Sequence, residues 1–131
     1  KVSSGGAAQP RCNDGYDCGV LFKLAPNGTQ TVLHAFCSEA DCADGAGAMG
    51  SLLGDPEETL YGTTVGVDGP GTLYKFDGSF EVLYTFCSEV DCTDGYEPYY
   101  ENLITDAEGN MFGTAGAGGP QGGGVVFEWS P

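Results

Sequence analysis

The stretch FCSEADCADG occupies residues 36–45, and FCSEVDCTDG occupies residues 86–95. Each copy holds two cysteines and three acidic residues, and each ends in the turn-forming pair Asp-Gly. Segments that recur at a fixed distance along a chain indicate a repeat architecture, in which each repeat is one structural unit. These two stretches therefore predict at least two equivalent units, with the repeated stretch closing the same loop in each.

The sequence around these two loops repeats as well. GVLFKL begins at residue 19, GTLYKF at residue 71 and GVVFEW at residue 124, while TLYGTT and NMFGTA lie between them. The period is therefore about 50 residues, which is in the range of propeller and solenoid repeats. We assign residues 1–131 to a single β-repeat domain, with a partial repeat at 1–18, full repeats at 19–70 and 71–123, and a partial repeat at 124–131.

Each full repeat contains four short segments that have the composition of β-strands. They are apolar or alternating, they are separated by Asn-Gly, Asp-Gly and similar turn signals, and none shows the period of an amphipathic helix. We predict an all-β fold of antiparallel, four-stranded, blade-like repeats, either propeller-like or open, with almost no helix. The predicted strands cover residues 19–24, 31–36, 49–53 and 59–64 in one repeat, and 71–76, 81–86, 99–105 and 110–114 in the next.

The number of repeats creates a physical problem for this fold. About two and a half blades do not close a ring, because propellers have at least four. A blade also needs neighbours to cover its two faces. We therefore expect the chain to assemble with copies of itself, to belong to a longer polypeptide, or to stack as an open solenoid.

The charge of the chain excludes some partners. Lys and Arg number 4 against 19 Asp and Glu, which gives a net charge of −15. Binding to nucleic acid requires clustered cations, so nucleic acid is not an expected partner. No apolar run approaches the ~18 residues that a membrane span needs. Cations or a basic protein surface are the partners that such a charge attracts. The alternative is that the charge only keeps a glycine-rich β protein in solution.

Six cysteines fall into three close pairs. An even number of cysteines in close pairs is typical of disulfides in a secreted protein, each closing a small loop. A zinc site is the alternative, but His34 is the one histidine and no pair has C-x2-C spacing. We predict disulfides and an extracellular location. The pairs are Cys12 with Cys18, Cys37 with Cys42, and Cys87 with Cys92.

These repeats resemble the tandem repeats of the choice-of-anchor family of secreted bacterial proteins. Repeats of that family read G-T-V-F-K-L, then T-V-L-H-S-F, then L-I-x-D-x-x-G-N-L-Y-G-T-T. The resemblance covers most of residues 19–128 and implies a secreted or cell-surface bacterial protein with propeller-like β repeats. It implies no particular activity. The cysteine pairs, the acidic balance and the short chain depart from the family pattern.

The repeated loop carries carboxylates at alternating spacing before a glycine, which is the kind of ligand set that Ca²⁺ uses. We predict calcium as the one cofactor, although an Asp-Gly turn with its acids in water explains the same residues. Repetition of the loop favours a structural role. The candidate ligands are Glu39, Asp41, Asp44, Glu89, Asp91 and Asp94.

Aromatic residues mark a second candidate site. Tyr96, Tyr99 and Tyr100 lie beside glutamates in DGYEPYYEN, a stretch that the first repeat lacks. Such residues bind sugars, anchor protein interfaces or fill a core gap. Trp129 occupies the position of Leu24 and Phe76 in the other copies, so we expect it in a core or at a contact between chains.

No residue pattern indicates an enzyme. His34 has Tyr84 at the matching position of the next repeat, which suggests a packing position, and there is no nucleophile motif around a serine. We therefore expect a non-catalytic, secreted β-repeat module that builds extracellular surface structure by self-association, as a ring or a filament. A carbohydrate-binding oligomeric propeller module, with glycans as partners, is the alternative.

Overall fold

The computed structural model of the chain describes residues 18–66, 70–98 and 102–131. These residues form an all-β structure, as the repeat pattern predicts, with short 3-10 helices at Ala40–Cys42 and Val90–Cys92. None of the described residues belongs to a helix that is long and apolar enough to cross a membrane. The strands are β1 (Val20–Leu24), β2 (Gln30–Ala35), β3 (Leu53–Gly54), β4 (Leu60–Thr64), β5 (Thr72–Phe76), β6 (Phe80–Thr85), β7 (Ile104–Thr105), β8 (Met111–Ala115) and β9 (Val125–Trp129).

The strands form three antiparallel sheets of unequal size. The middle sheet has four strands in the order β3-β4-β5-β6, the first sheet holds β1 and β2, and the third has the order β7-β8-β9. By sequence position, β1 and β2 correspond to the last two strands of the middle sheet, and β7 to β9 correspond to its first three. The described strands thus form one four-stranded sheet between two smaller ones, with the predicted repeat boundary at residues 70 and 71 falling inside the middle sheet, and they do not close into a ring.

Two of the predicted strands differ from the observed ones. Residues 49–53 were expected to form a strand, but β3 contains only Leu53 and Gly54. The reason is a mismatch in register beside β4. Leu53 pairs with Tyr61, and the Val65 N–H donates to the Gly47 carbonyl at 3.0 Å, so residues 48–52 lie opposite residues 62–64 and are too many to pair with them one for one. The strand expected at 99–105 is likewise short, since β7 covers Ile104–Thr105, and residues 99–101 lie outside the described residues. The other predicted strands are confirmed to within a residue or two.

Side chains of the loops fix the turns that connect the strands. The Asp55 carboxylate accepts hydrogen bonds from the N–H groups of Glu57 and Thr59, both at 2.9 Å. Asp106 accepts from the N–H groups of Glu108 and Asn110 in the same way, at 2.9 and 3.0 Å. Asp and Asn favour turns because their side chains can satisfy backbone donors two to four residues ahead. The repeat in sequence therefore produces a repeat in turn geometry.

Two cores hold the three sheets together. The first includes Leu21, Phe36 and Tyr74 and lies where the first and middle sheets meet. The second includes Leu73 and Phe86 and lies where the middle and third sheets meet. Successive side chains of a strand point to opposite faces, so adjacent residues of β5, Leu73 and Tyr74, supply different cores. The middle sheet is buried on both faces.

Gly62 allows β4 and β5 to pack closely in the first core. A Cβ atom at Gly62 would lie 2.5 Å from the Tyr74 hydroxyl, and Tyr74 is 1% exposed. We predict that Gly62→Ala lowers the free energy of unfolding by about 2 kcal/mol, because a well-packed core accommodates an added methyl group only by shifting. Urea denaturation monitored by circular dichroism measures the effect.

Gly54→Ala is the matched control for this substitution. A Cβ atom at Gly54 meets only the Leu60 Cδ2 atom at 3.9 Å, which is ordinary van der Waals contact. The control should therefore change stability by less than about 0.5 kcal/mol. Equal losses for the two variants would show that the cost comes from the strand backbone and that close packing on Tyr74 is not its cause.

Candidate functional site

The third acid of the first repeated loop holds the loop together from inside. Asp44 is 1% exposed. Its Oδ2 atom lies 2.8 Å from His34 Nε2, which donates to it, and 3.0 Å from the Ser38 backbone nitrogen. Its Oδ1 atom accepts from the Glu39 N–H at 3.1 Å. Three donors therefore converge on one buried carboxylate.

The second loop repeats this arrangement with one change of partner. Asp94 accepts from the Ser88 N–H at 2.8 Å and from the Glu89 N–H at 3.1 Å, and the Tyr84 hydroxyl donates to the same carboxylate. Tyr84 thus replaces His34 as the side-chain donor. The sequence comparison found the matching positions but missed their common role, which the constant spacing of ten residues to the aspartate could have indicated.

The disulfides of the two loops are confirmed. Cys37 bonds to Cys42 and Cys87 bonds to Cys92. Cys18 is also disulfide-bonded, and its predicted partner Cys12 lies outside the described residues. The sulfur atoms of Cys18, Cys37 and Cys42 lie within 4.8 Å of one another. Thiolates are the form of cysteine that binds metal, so these oxidised sulfurs do not form a zinc site.

The structure does not gather the predicted calcium ligands. Asp44 and Asp94 point into their loops, where backbone N–H groups and a side chain already bind both carboxylate oxygens. In the described part of the chain, no three of the predicted carboxylates bring oxygen atoms within 4.8 Å of one another. The calcium site stays a prediction. The remaining four acids have exposed positions on the loops: Glu39, Asp41, Glu89 and Asp91.

The predicted aromatic site divides into separate places. Tyr96 exchanges backbone hydrogen bonds with Ala117 and packs against the second core, so it acts as a core residue. Tyr99 and Tyr100 lie outside the described residues. Trp129 lies on β9, half-buried, with its ring 6.2 Å from that of Tyr61. Trp129 packs against the second core as a partly buried residue, and its predicted role at a contact between chains stays a prediction.

A groove of about 380 Å³ runs along β9, between the third sheet and the outer part of the middle sheet. We call it the β9 groove. Sequence reasoning selected Trp129 and Asp94 but missed its other members. An alignment of the repeats could have indicated these residues, because Glu128 occupies the position that Lys23 and Lys75 hold in the other copies. The side chains that line the groove include Tyr84, Phe86, Asp94, Phe127, Glu128 and Trp129.

The hydrogen bond between Tyr84 and Asp94 changes the pKa of both groups. Burial raises the pKa of the Tyr84 hydroxyl to about 12, and the neighbouring Asp94 carboxylate adds to the rise. Burial also raises the pKa of Asp94, but the hydrogen bonds from Tyr84 and from two backbone N–H groups outweigh it, so the net pKa is lowered. Around neutral pH the groove therefore contains a neutral phenol hydrogen-bonded to a carboxylate.

Comparisons with known proteins add no further constraint. Scans against family models, curated proteins and solved structures found no match to this chain. The resemblance to the choice-of-anchor repeats therefore stays a prediction, and the function is argued from the geometry.

We predict that Asp44→Ala lowers the free energy of unfolding by about 3 kcal/mol, because buried donors lose a charged acceptor. Asp94→Ala should cost about half as much, since water can reach its donors through the β9 groove. Glu39→Gln is the control for lost charge and should cost less than about 0.5 kcal/mol. Urea denaturation measures all three. A small cost for Asp44→Ala would contradict the structural role and favour a ligand-binding one.

Alkaline stability tests the Tyr84 environment. The pKa of Tyr84 is raised in the folded state from 10.0 to about 12. The unfolded chain therefore ionises first, so this contribution to stability is complete below pH 10 and is lost as the pH rises toward 12. We expect Tyr84→Phe to be less stable than the parent near neutral pH and to lose less stability over this alkaline range. Urea denaturation at several pH values measures both slopes, and parallel slopes would contradict the prediction.

Proposed function

We propose that this chain is a non-catalytic, secreted β-repeat module that builds extracellular surface structure by associating with copies of itself. The observation that carries the proposal is the unequal size of the sheets. The middle sheet has four strands, but its neighbours have two and three among the described residues. Within residues 18–66, 70–98 and 102–131, each partial sheet leaves one strand edge unpaired, and the equivalent edge in the middle sheet is paired.

The unpaired strands have the character of inner strands. Both β1 and β9 correspond to β5, which pairs with β4 on one side and with β6 on the other. Among the described residues, β1 pairs only with β2, and β9 pairs only with β8. The unpaired backbone groups of such an edge favour addition of another strand. Val126 on β9 is 76% exposed and Leu24 on β1 is 63% exposed, so apolar side chains accompany these edges.

The two free edges are also different from each other. In the middle sheet, β5 pairs with β4 along one edge and with β6 along the other. The free edge of β1 corresponds to the β5 edge that pairs with β4. The free edge of β9 corresponds to the β5 edge that pairs with β6. Contact between unlike edges is heterologous, and heterologous contacts repeat to give a ring or an open filament. This arrangement supports assembly from many copies over a simple two-fold dimer.

The extracellular part of the proposal rests on the cysteines. Cys37–Cys42 and Cys87–Cys92 are disulfides, and disulfides persist in oxidising compartments. The resemblance to secreted bacterial repeats supports a bacterial cell surface or the medium as the location. A chain with only 4 Lys and Arg is well suited to remain soluble there through its negative charge.

Carbohydrate binding is the second candidate function. The β9 groove sets the rings of Tyr84 and Trp129 near the carboxylates of Asp94 and Glu128. Aromatic faces with nearby hydrogen-bond acceptors are suited to sugar rings and their hydroxyl groups. Binding of glycans by a chain of 13.5 kDa that stays monomeric would favour this candidate over assembly.

We predict that the purified chain forms particles larger than 13.5 kDa, because its open edges add strands of other copies. Light scattering with negative-stain imaging over a range of concentrations measures the mass and form of these particles. Val126→Lys places a charge beside the β9 edge and should reduce the mass to that of a monomer. Val90→Lys is the matched control, since Val90 is 82% exposed in the short 3-10 helix of the second loop and belongs to neither edge strand, and it should assemble like the parent.

A chain that stays at 13.5 kDa at all concentrations would contradict self-association. The same measurement with a calcium chelator tests the predicted cofactor. Loss of the particles on chelation would assign calcium to the acidic loops, and unchanged particles would show that assembly needs no calcium.

A further inference from the structure

We propose that the β9 groove binds an extended segment of a different polypeptide as a fourth strand. We further infer that it selects a segment with an aromatic residue opposite Trp129 and a lysine or arginine opposite Glu128. This goes beyond the proposed function, because the partner is not a copy of the chain. The middle sheet contains the equivalent strand, β6, and shows the contacts that such a strand makes.

The middle sheet shows what a fourth strand does. β6 pairs with β5 so that Phe80 lies opposite Phe76. The Phe80 ring stacks on the His34 ring with centroids 3.7 Å apart and planes 3° apart. It also lies 5.6 Å from the Phe36 ring and 5.3 Å from the Tyr74 ring. One aromatic side chain of the fourth strand thus covers the outer part of the first core.

The walls of the β9 groove repeat the walls around Phe80. In the first core the Phe36 ring lies 5.2 Å from Tyr74. In the second core the equivalent Phe86 ring lies 5.1 Å from Phe127. The remaining wall is also conserved in geometry: His34 lies 5.1 Å from Phe36, and Tyr84 lies 5.4 Å from Phe86. The described residues supply no strand beside β9 that carries an equivalent of Phe80, and the groove lies open at that place.

An aromatic residue on an added strand would therefore enter a site that is already formed. Paired at β9 in the register of β6, its residue opposite Trp129 would reach the face of Tyr84, as Phe80 reaches His34. Aromatic pairs add about 1 kcal/mol beyond the area that they bury. Strand addition of this kind draws its affinity from backbone hydrogen bonds and its specificity from pockets for alternate side chains.

The charge of the added strand follows from a single substitution between repeats. On β5, Lys75 lies opposite Glu81 and its Nζ atom is 3.3 Å from the Glu81 carboxylate. On β9 the position of Lys75 is taken by Glu128, which is exposed. Opposite charges stabilise a cross-strand pair and like charges destabilise it. The residue opposite Glu128 should therefore be basic, and the net charge of −15 also attracts a basic segment.

The same comparison shows that the outer strands of a second copy, β2 and β6, fit this groove less well than a basic segment does. The outermost strands of the chain, β2 and β6, carry Thr31 and Glu81 at the position that would face Glu128. Glu81 would repel Glu128, and Thr31 provides no charge. A different polypeptide with an aromatic-basic-apolar sequence fits both the shape and the charge of the groove, and it would compete with copies of the chain for the β9 edge.

Synthetic peptides test the proposal directly. The probe peptide has the sequence of residues 79–86 with lysine in place of Glu81. One matched peptide keeps the native glutamate at this position. The other matched peptide differs from the probe by alanine in place of Phe80. Fluorescence of Trp129, the one tryptophan of the chain, reports binding. We expect the lysine peptide to bind about tenfold more tightly than the glutamate peptide. The alanine peptide should lose most of the affinity.

The variant Glu128→Lys provides the decisive control. Glu128 is exposed, so the substitution should not affect folding, and the preference should reverse toward the glutamate peptide. Equal binding of the lysine and glutamate peptides, or an unchanged preference in Glu128→Lys, would overturn the proposal. It would also be overturned if light scattering showed particles that the lysine peptide neither binds nor dissociates, because a second copy would then fill the groove. A monomer that binds the lysine peptide would contradict self-association and keep this proposal.

Discussion

The structure depends on a strand that is buried on both sides. Leu73 and Tyr74 are neighbours on β5, each is 1% exposed, and they belong to two different cores. A strand of this kind requires a sheet against each of its faces, so the middle sheet cannot be stable without the partial sheets beside it. Glycine at position 62 is part of the same constraint, because the Tyr74 hydroxyl occupies the space in which a side chain would lie.

The repeated loops have a different role, because each connects the last strand of one sheet to the first strand of the next. Both loops contain non-glycine residues with positive φ, including Cys37, Asp41 and Cys42 in the first and their counterparts in the second. Such conformations cost roughly 1–3 kcal/mol each and persist only where the surroundings hold them. A short disulfide and a carboxylate that accepts three hydrogen bonds hold them here.

The difference between the two interfaces links the fold to the proposed activities. Both are built on the same aromatic walls, but Phe80 covers the first, whereas the second has an open groove beside β9. The acid of the first loop, Asp44, is buried, while Asp94 of the second lines the groove. In the part of the chain that the structure describes, the third sheet therefore combines an unpaired edge at β9 with a side-chain pocket next to it, which together favour binding of another strand.

The sequence by itself determined the all-β class, most of the strands and two of the disulfide pairs, whereas the complete sheet, from Leu53 to Thr85, spans the repeat boundary that we placed at residues 70 and 71. These features are local, because strand pattern, turn residues and cysteine spacing each act over a few residues. Each of these patterns also occurs twice along the chain, once in each repeat. The sequence also indicated correctly that His34 and Tyr84 occupy one kind of position. It overestimated the strand at 49–53, because Leu53 pairs with Tyr61 while Gly47 bonds to Val65, so that residues 48–52 lie opposite the shorter stretch 62–64.

Only the tertiary structure decided what the acidic loops and the aromatic residues do. Asp44 resembles a metal ligand in sequence, yet its oxygens accept hydrogen bonds inside the loop, and Tyr96 resembles a binding residue, yet it packs against a core. The β9 groove likewise consists of residues from β5, β6, the second loop and β9. Their proximity results from how the sheets pack, and no local pattern encodes a contact between residues that far apart in the chain.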